Sequence, residues 1–293
     1  MILCVGEILV DNINGEMHPG GAPFNVANQI SKLNASVAFV GSVGNDLPGK
    51  FLLSFSQSHF KGISCIETLE KETTQAIVTI DKDKDRHFSF YRNGTADSYL
   101  NIDKIKELSS SSSIIHFGSL ALTNSNTRND IINLIKELKK DNKTIAFDVN
   151  YRKDIFENIN VLKSFITYVD ILKLSLEELE LFTNIKIETK VDLINSIKKI
   201  ALNNQLVIVT LGNYGSCYYK NNEFNIVSSI KVNPIDTTGA GDAFFGAFLT
   251  KYEQNWEINE ILKYANICAA LSTESYGAIE SQVNDDKILE YFN

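Results

Sequence analysis

The sequence predicts an α/β fold: a mostly parallel central sheet packed between helices, with a small β lid. Three observations carry that expectation. Short apolar runs such as Val37-Ala38-Phe39-Val40 and Leu206-Val207-Ile208-Val209 alternate with longer amphipathic stretches, as buried parallel strands and their crossover helices do. Glycine turns sit where strands give way to helices, at Gly20-Gly21 and at Gly239-Ala240-Gly241. From Thr74 to Arg92 the period becomes that of two strands joined by a charged tip, which reads as a hairpin outside the main sheet.

The elements follow in order. Ile2 to Asp11 is a nearly continuous apolar run, read as one buried strand with Asp11 near its carboxyl end, the edge where open α/β sheets bind ligands. Pro19-Gly20-Gly21-Ala22-Pro23 leads into a helix with Val26, Ile30 and Leu33 inward and Asn25 in its first turn. Gly44 to Phe51 nearly matches a P-loop, yet Phe51 replaces the hydroxyl that should hold magnesium and Asp46 would face the phosphates. That segment is a structural connection. Gln75–Ile80 and His87–Arg92 are the hairpin strands, with Asp81 to Asp85 as the tip. Ser113–Phe117 is strand, and Thr127–Lys140 a helix with Ile131, Leu134, Ile135 and Leu138 inward. Thr144–Arg152 is a strand ending in the polar cluster Asp148, Asn150 and Arg152. Ile171–Leu174 is strand, and a helix starts near Ser175–Glu178. Leu206–Leu211 ends in the glycine turn Gly212–Gly215, and Ile226-Val227 with Ile230-Lys231-Val232 read as extended.

Asp236-Thr237-Thr238-Gly239-Ala240-Gly241-Asp242 organises the chain. Phe244, Ala247 and Phe248 follow at helical spacing, so a helix begins near Gly241. The first amides of a helix lack partners within it and carry the positive end of its dipole, which makes this turn an anion site suited to phosphate. Asp242 would repel a phosphate that is only held. It makes sense as a base that takes a proton from a nucleophile attacking that phosphate. A second helix, Ala265–Thr273, is rich in small residues.

Composition narrows the classes. The 293 residues are 44% hydrophobic, with a net charge of −8 and a pI near 5.1, which argues against nucleic acid or an anionic membrane surface as partner. The four cysteines and four histidines are scattered without metal-ligand or disulfide spacing. No apolar run approaches the roughly 20 residues of a membrane span. Met1 to Val5 is too short, and lacks the basic start, for a signal peptide. The expectation is a soluble, cytoplasmic protein of one domain, residues 1–293, uninterrupted by repeats or linkers.

Two strings are specific enough to name a family. Asp236 to Asp242 resembles the C-terminal signature of the ribokinase-like (PfkB) carbohydrate kinases, and Gly20-Gly21-Ala22-Pro23-x-Asn25-Val26-Ala27 their N-terminal one. Gly6-Glu7-x-Leu9-Val10-Asp11 is similar to fructokinases, and Phe90-Tyr91-Arg92 followed by Ala96-Asp97 resembles fructokinases and their ketodeoxygluconate-kinase relatives. The resemblance implies a three-layer α/β/α domain with a lid hairpin, about 74–98, and part of 11–20 inserted. It implies ATP-dependent phosphorylation of fructose to fructose 6-phosphate, with the lid closing to exclude water. Asp242 would be the base, and Gly239, Ala240 and Gly241 would bind phosphoryl oxygens through their amides. Asp11, Gly20, Gly21 and Asn25 would bind sugar hydroxyls, with Arg92 and Arg152 as the cations beside the acceptor. Thr210, Gly212, Gly215, Asn266, Ala269 and Thr273 would form the nucleotide groove. Glu178 would steer the water shell of the magnesium ion that arrives with ATP, although Ser175 stands where the family usually has Asn. Asp236 and Thr238 would lie beside a monovalent cation, potassium. The partners implied are a sugar and ATP, and some relatives form homodimers through exposed lid faces. A 2-keto-3-deoxygluconate kinase and a catalytically silent sugar-binding regulator stay open as alternatives.

Overall fold

In the computed structural model, which describes residues 1–13, 15–80, 86–156 and 158–292, the chain forms thirteen strands. They are β1 (Ile2–Val5), β2 (Leu9–Ile13), β3 (Glu16–Gly20), β4 (Val37–Gly44), β5 (Ile63–Leu69), β6 (Gln75–Ile80), β7 (Arg86–Tyr91), β8 (Ile114–Phe117), β9 (Thr144–Asp148), β10 (Ile171–Ser175), β11 (Leu206–Thr210), β12 (Ser216–Lys220) and β13 (Glu223–Val227). Among the described residues, nine of them make the central sheet in the order β13-β12-β11-β10-β9-β8-β1-β4-β5. Pairing is parallel from β5 to β11 and antiparallel only where β12 and β13 complete one edge.

Both faces of this sheet are covered, which is why its strands read as continuous apolar runs. From β1, Ile2 and Cys4 point into one core, with Phe24 of the Ala22–Lys32 helix and Phe244 and Phe248 of the Ala240–Glu253 helix. Leu3 and Val5 point into the other, with Ile131, Leu134, Ile135 and Leu138 of the Ser125–Lys140 helix. Each such side chain contributes about 1.5–3 kcal/mol on burial. The expected three-layer α/β/α fold is present. Among the described residues, no helix is long and apolar enough to cross a membrane.

The run Ile2–Asp11 is not one strand. The backbone breaks at Gly6, with φ at 146°. A Cβ there would lie 2.8 Å from the Pro23 side chain and 3.3 Å from the Gly118 backbone, so only glycine passes. The chain then leaves the central sheet, and β2 enters a second sheet ordered β3-β2-β6-β7. β2 and β6 run parallel, while β2–β3 and β6–β7 are antiparallel. Asp11 therefore belongs to the lid and not to the edge of the main sheet. The charged tip Asp81 to Asp85 lies outside the described residues. Ile230–Val232 lies outside the strands, since β13 ends at Val227. The P-loop look-alike is a cap: Asp46 starts the Leu47–His59 helix, accepting from the Gly49 amide at 2.8 Å and the Thr73 hydroxyl at 2.6 Å.

A buried ion pair secures the lid where β7 returns to the body. Arg92 Nε donates to Asp97 at 2.6 Å, with side chains 6% and 1% exposed. Asp97 also accepts from the hydroxyls of Thr74 and Thr95. The Arg92 guanidinium further donates to Thr123 Oγ1 at 2.6 Å and to the Leu120 carbonyl at 2.9 Å. Removing one partner of such a pair strands a buried charge. Asp97→Ala is expected to lower stability by about 3–5 kcal/mol in urea unfolding. A loss below about 1 kcal/mol would show that the pair is not structural.

Candidate active site

A cleft of ≈ 1000 Å³ opens between the lid and the carboxyl edge of the central sheet, lined by Glu7, Asp11, Asn25, Asp148, Lys173, Asp242 and the turn Asp236–Gly239. The Ala240–Glu253 helix starts on its floor. Gly239 precedes that helix with φ at 75°, in the left-handed region. A Cβ on it would stand 2.7 Å from the Ala278 methyl. The Ala240 amide donates to the Thr237 carbonyl at 3.2 Å, so it is engaged within the turn. Gly241 and Asp242, next in the first helical turn, have no carbonyl four residues back inside the helix.

Asp242 is half-buried against the other signature. Asn25, in the first turn of the Ala22–Lys32 helix, donates from Nδ2 to Asp242 Oδ2 at 2.8 Å. Burial pushes the Asp242 carboxyl up to about 6; the Asn25 hydrogen bond opposes this, Asp148 adds to it, and Lys173 and Arg152 pull it back. A carboxylate poised there ionises near neutrality while keeping more proton affinity than an ordinary aspartate.

Lys173 is the residue that sequence reasoning missed. It stands on β10 and donates to Asp148 Oδ2 at 2.6 Å, both side chains being buried. Burial works against its charge, but Asp148, Glu178 and Asp242 outweigh it and hold the ammonium above its ordinary value. A Cβ added to Gly241 would come within 3.3 Å of Lys173 Nζ. A cation therefore adjoins the helix start that faces the cleft. Its signal was a lone lysine inside the apolar run Ile171-Leu172-Lys173-Leu174.

The other expected residues fall into distinct places. Asp236 braces the turn. Its Oδ1 accepts from the Thr238 amide at 3.0 Å and hydroxyl at 2.7 Å, and its Oδ2 from the Gly277 amide at 3.1 Å. Gly21 and Arg152 line the cleft, whereas Gly20 closes β3. Arg92 leaves the expected substrate set: its guanidinium is committed to Asp97, Thr123 and Leu120, and it borders a separate cavity of ≈ 590 Å³. Several of the six expected groove residues are already engaged. Thr210 Oγ1 contacts the Leu174 carbonyl at 3.4 Å, Asn266 donates to the Val227 carbonyl at 2.9 Å, and Thr273 Oγ1 to the Ala270 carbonyl at 2.7 Å. Gly212 has φ at 59°, and a Cβ on Gly215 would press within 2.7 Å of the Ser229 amide. The Thr273 carbonyl accepts from the Ile235 and Asp236 amides, joining Ala269 and its helix to the phosphate turn.

Glu178 is less free than expected. It forms a capping box with Ser175 at the start of the Leu176–Thr183 helix. Its Oε2 accepts from the Ser175 amide at 2.7 Å and its Oε1 from the Tyr151 amide at 2.6 Å, leaving second lone pairs for a metal-bound water. Serine at the usual Asn position thus acts as the helix cap. Among the described residues, no group of three acidic, histidine or cysteine side chains could hold a metal ion.

A carboxylate beside the first-turn amides of a helix, under a lid and at the floor of an acceptor cleft, is the arrangement of a phosphotransferase. The chain belongs to the pfkB family of carbohydrate kinases, whose sequence profile matches residues 3–285. It is 32% identical over 287 residues to fructokinase-1 of Zea mays, covering 93% of this chain and 87% of that protein. The crystal structure of a Xylella fastidiosa fructokinase with bound ATP superposes with a TM-score of 0.86 at 26% identity, over 99% of this chain and 97% of that one. A Vibrio cholerae O395 fructokinase in a fructose-, ADP- and calcium-bound form gives 0.85 at 29% identity, over 100% and 98%. The protein is an ATP-dependent carbohydrate kinase.

The site sets a pH dependence. A carboxylate base works deprotonated, so kcat/KM should climb with pH through about 6 and fall roughly tenfold per unit below it. A profile that stays flat down to about pH 4, the ordinary carboxylate range, would contradict the burial of Asp242.

Proposed function

We propose that the enzyme phosphorylates fructose, transferring the γ-phosphoryl group of ATP to the 6-hydroxyl. The Asn25–Asp242 hydrogen bond, 2.8 Å long, carries the reading, because it sets the base at the junction of the acceptor cleft and the anion turn. Asp242 takes the proton of the hydroxymethyl group as its oxygen attacks the γ-phosphorus, and the bond to ADP breaks. The amides of Gly241 and Asp242, with the Lys173 ammonium, receive the charge spread over the phosphoryl oxygens. Gly239 and Ala240 shape the turn that aims those amides. Magnesium bound to ATP supplies neutralisation of the phosphate charge, and Glu178 is the carboxylate placed to hold one of its waters.

Asp11 of the lid, Gly21 and Asn25 form the sugar side of the cleft. The groove residues from Thr210 to Thr273 offer the nucleotide mainly shape, since several of their polar groups are already bonded inside the protein. Chain and lid act as one kinase domain, with the four-stranded sheet closing over the sugar. Asp236 and Thr238 brace the turn, and a potassium ion beside them would stiffen it without touching substrate. A neutral ketose is favoured over a 2-keto-3-deoxygluconate because Arg92, one of the two cations that could meet a sugar carboxylate, is spent on Asp97, which leaves Arg152 alone at the cleft.

A sugar panel with ATP, assayed in potassium, sodium and tetramethylammonium salts, tests this reading. Fructose should exceed ribose and ketodeoxygluconate in kcat/KM by about 10⁴ or more, as expected where buried polar groups read hydroxyls. Potassium should raise kcat for fructose. Preference for ketodeoxygluconate would refute the acceptor assignment, and equal rates in all three salts would refute the cation.

A further inference from the structure

Glu7 sits in the short link between β1 and the lid strand β2, and neither fold nor proton transfer accounts for it. The residue is 2% exposed, yet it lines the cleft beside Asp11, Asn25 and Asp242. Its Oε2 has no hydrogen-bond partner. Two glycines hold it in place. A Cβ on Gly118 would stand 2.6 Å from Glu7 Oε2, and one on Gly21 would stand 2.5 Å from the Glu7 carbonyl. The chain thus clears space for a carboxyl oxygen that nothing inside the protein satisfies. The charges around it are Asp97 and Arg92 at the lid base and Asp242 at the helix start. Burial raises Glu7 to about 7, with its own amide opposing and Asp97 adding.

A buried carboxyl oxygen without a partner is costly, and an apolar side chain would serve the packing better. Its placement is explained if a ligand completes it. We infer that Glu7 is a specificity-determining residue of the acceptor site, its carboxyl pairing with a hydroxyl of the bound sugar. A hydroxyl both donates and accepts, so it satisfies the carboxyl in either protonation state. Because Glu7 leads directly into β2, the same contact ties the sugar to the strand that carries Asp11 and the lid. The inference rests on the reading of this cleft as a sugar site.

The test compares wild type, Glu7→Gln and Glu7→Leu, using fructose and its monodeoxy analogues as acceptors and following ATP binding separately. Glu7→Leu should raise the sugar KM about tenfold or more, leave ATP affinity unchanged, and erase the wild-type penalty against one deoxy analogue. Glu7→Gln keeps a donor and an acceptor, so it should stay within about fivefold of wild type while changing the penalty at that same position. An unchanged sugar KM in Glu7→Leu overturns the assignment. Identical deoxy penalties in wild type and Glu7→Gln overturn it as well, even if Glu7→Leu does not fold. A wild type that phosphorylates no sugar overturns the underlying reading instead, so the two failures are distinguishable.

Discussion

Asn25 and Asp242 lie 217 residues apart in the chain, and the hydrogen bond between them fixes how the two ends of the protein meet. Each stands in the first turn of a helix that follows a glycine with positive φ, Gly21 at 108° and Gly239 at 75°. Those two helices pack closely because Gly246 lets the Ala240–Glu253 helix approach Gln29; a Cβ there would be 2.8 Å from the Gln29 Cβ. Gln29 in turn donates to the Val283 carbonyl at 2.8 Å, and Gln282 to the Asn25 carbonyl at 2.7 Å. The placement of Asp242 is thus a consequence of core packing and not of loop geometry.

Burying that carboxylate creates an electrostatic problem, and the neighbouring strands answer it. Asp148, Glu178 and Asp242 are three acids within reach of one buried cation, Lys173. In a poorly polarisable interior such a set is stable only with good pairing, which the 2.6 Å Lys173–Asp148 contact provides. An incoming polyphosphate would meet excess negative charge without it. Lys173 and the helix dipole together offset the negative charge of this acid-rich floor. The lid is tied on by a second buried pair, Arg92–Asp97.

Much of this was legible in the sequence. Apolar runs gave the parallel strands, since burial on both faces leaves a strong signal, and the glycine turn before Asp242 marked a helix start, which the structure places at Ala240. What stayed hidden depended on tertiary partners. Gly6 looked like one glycine in a long strand, and only the approach of Pro23 and Gly118 breaks the chain there. Lys173 was overlooked because its partner Asp148 sits on another strand. Arg92 read as a substrate cation because nothing local revealed that Asp97, five residues on, would claim it. Ser175 looked like a defect in a metal motif, and its role as a helix cap emerged only with the Glu178 side chain turned back onto the backbone.

The central claim is that Asp242 takes the proton of the acceptor hydroxyl. Turnover of Asp242→Asn, measured alongside ATP binding by the same variant, tests it most directly. The amide keeps the shape and can still meet Asn25 but cannot accept the proton. The account predicts a fall in kcat of about 10²–10⁴ with ATP affinity retained. Near-normal kcat in that variant would contradict it.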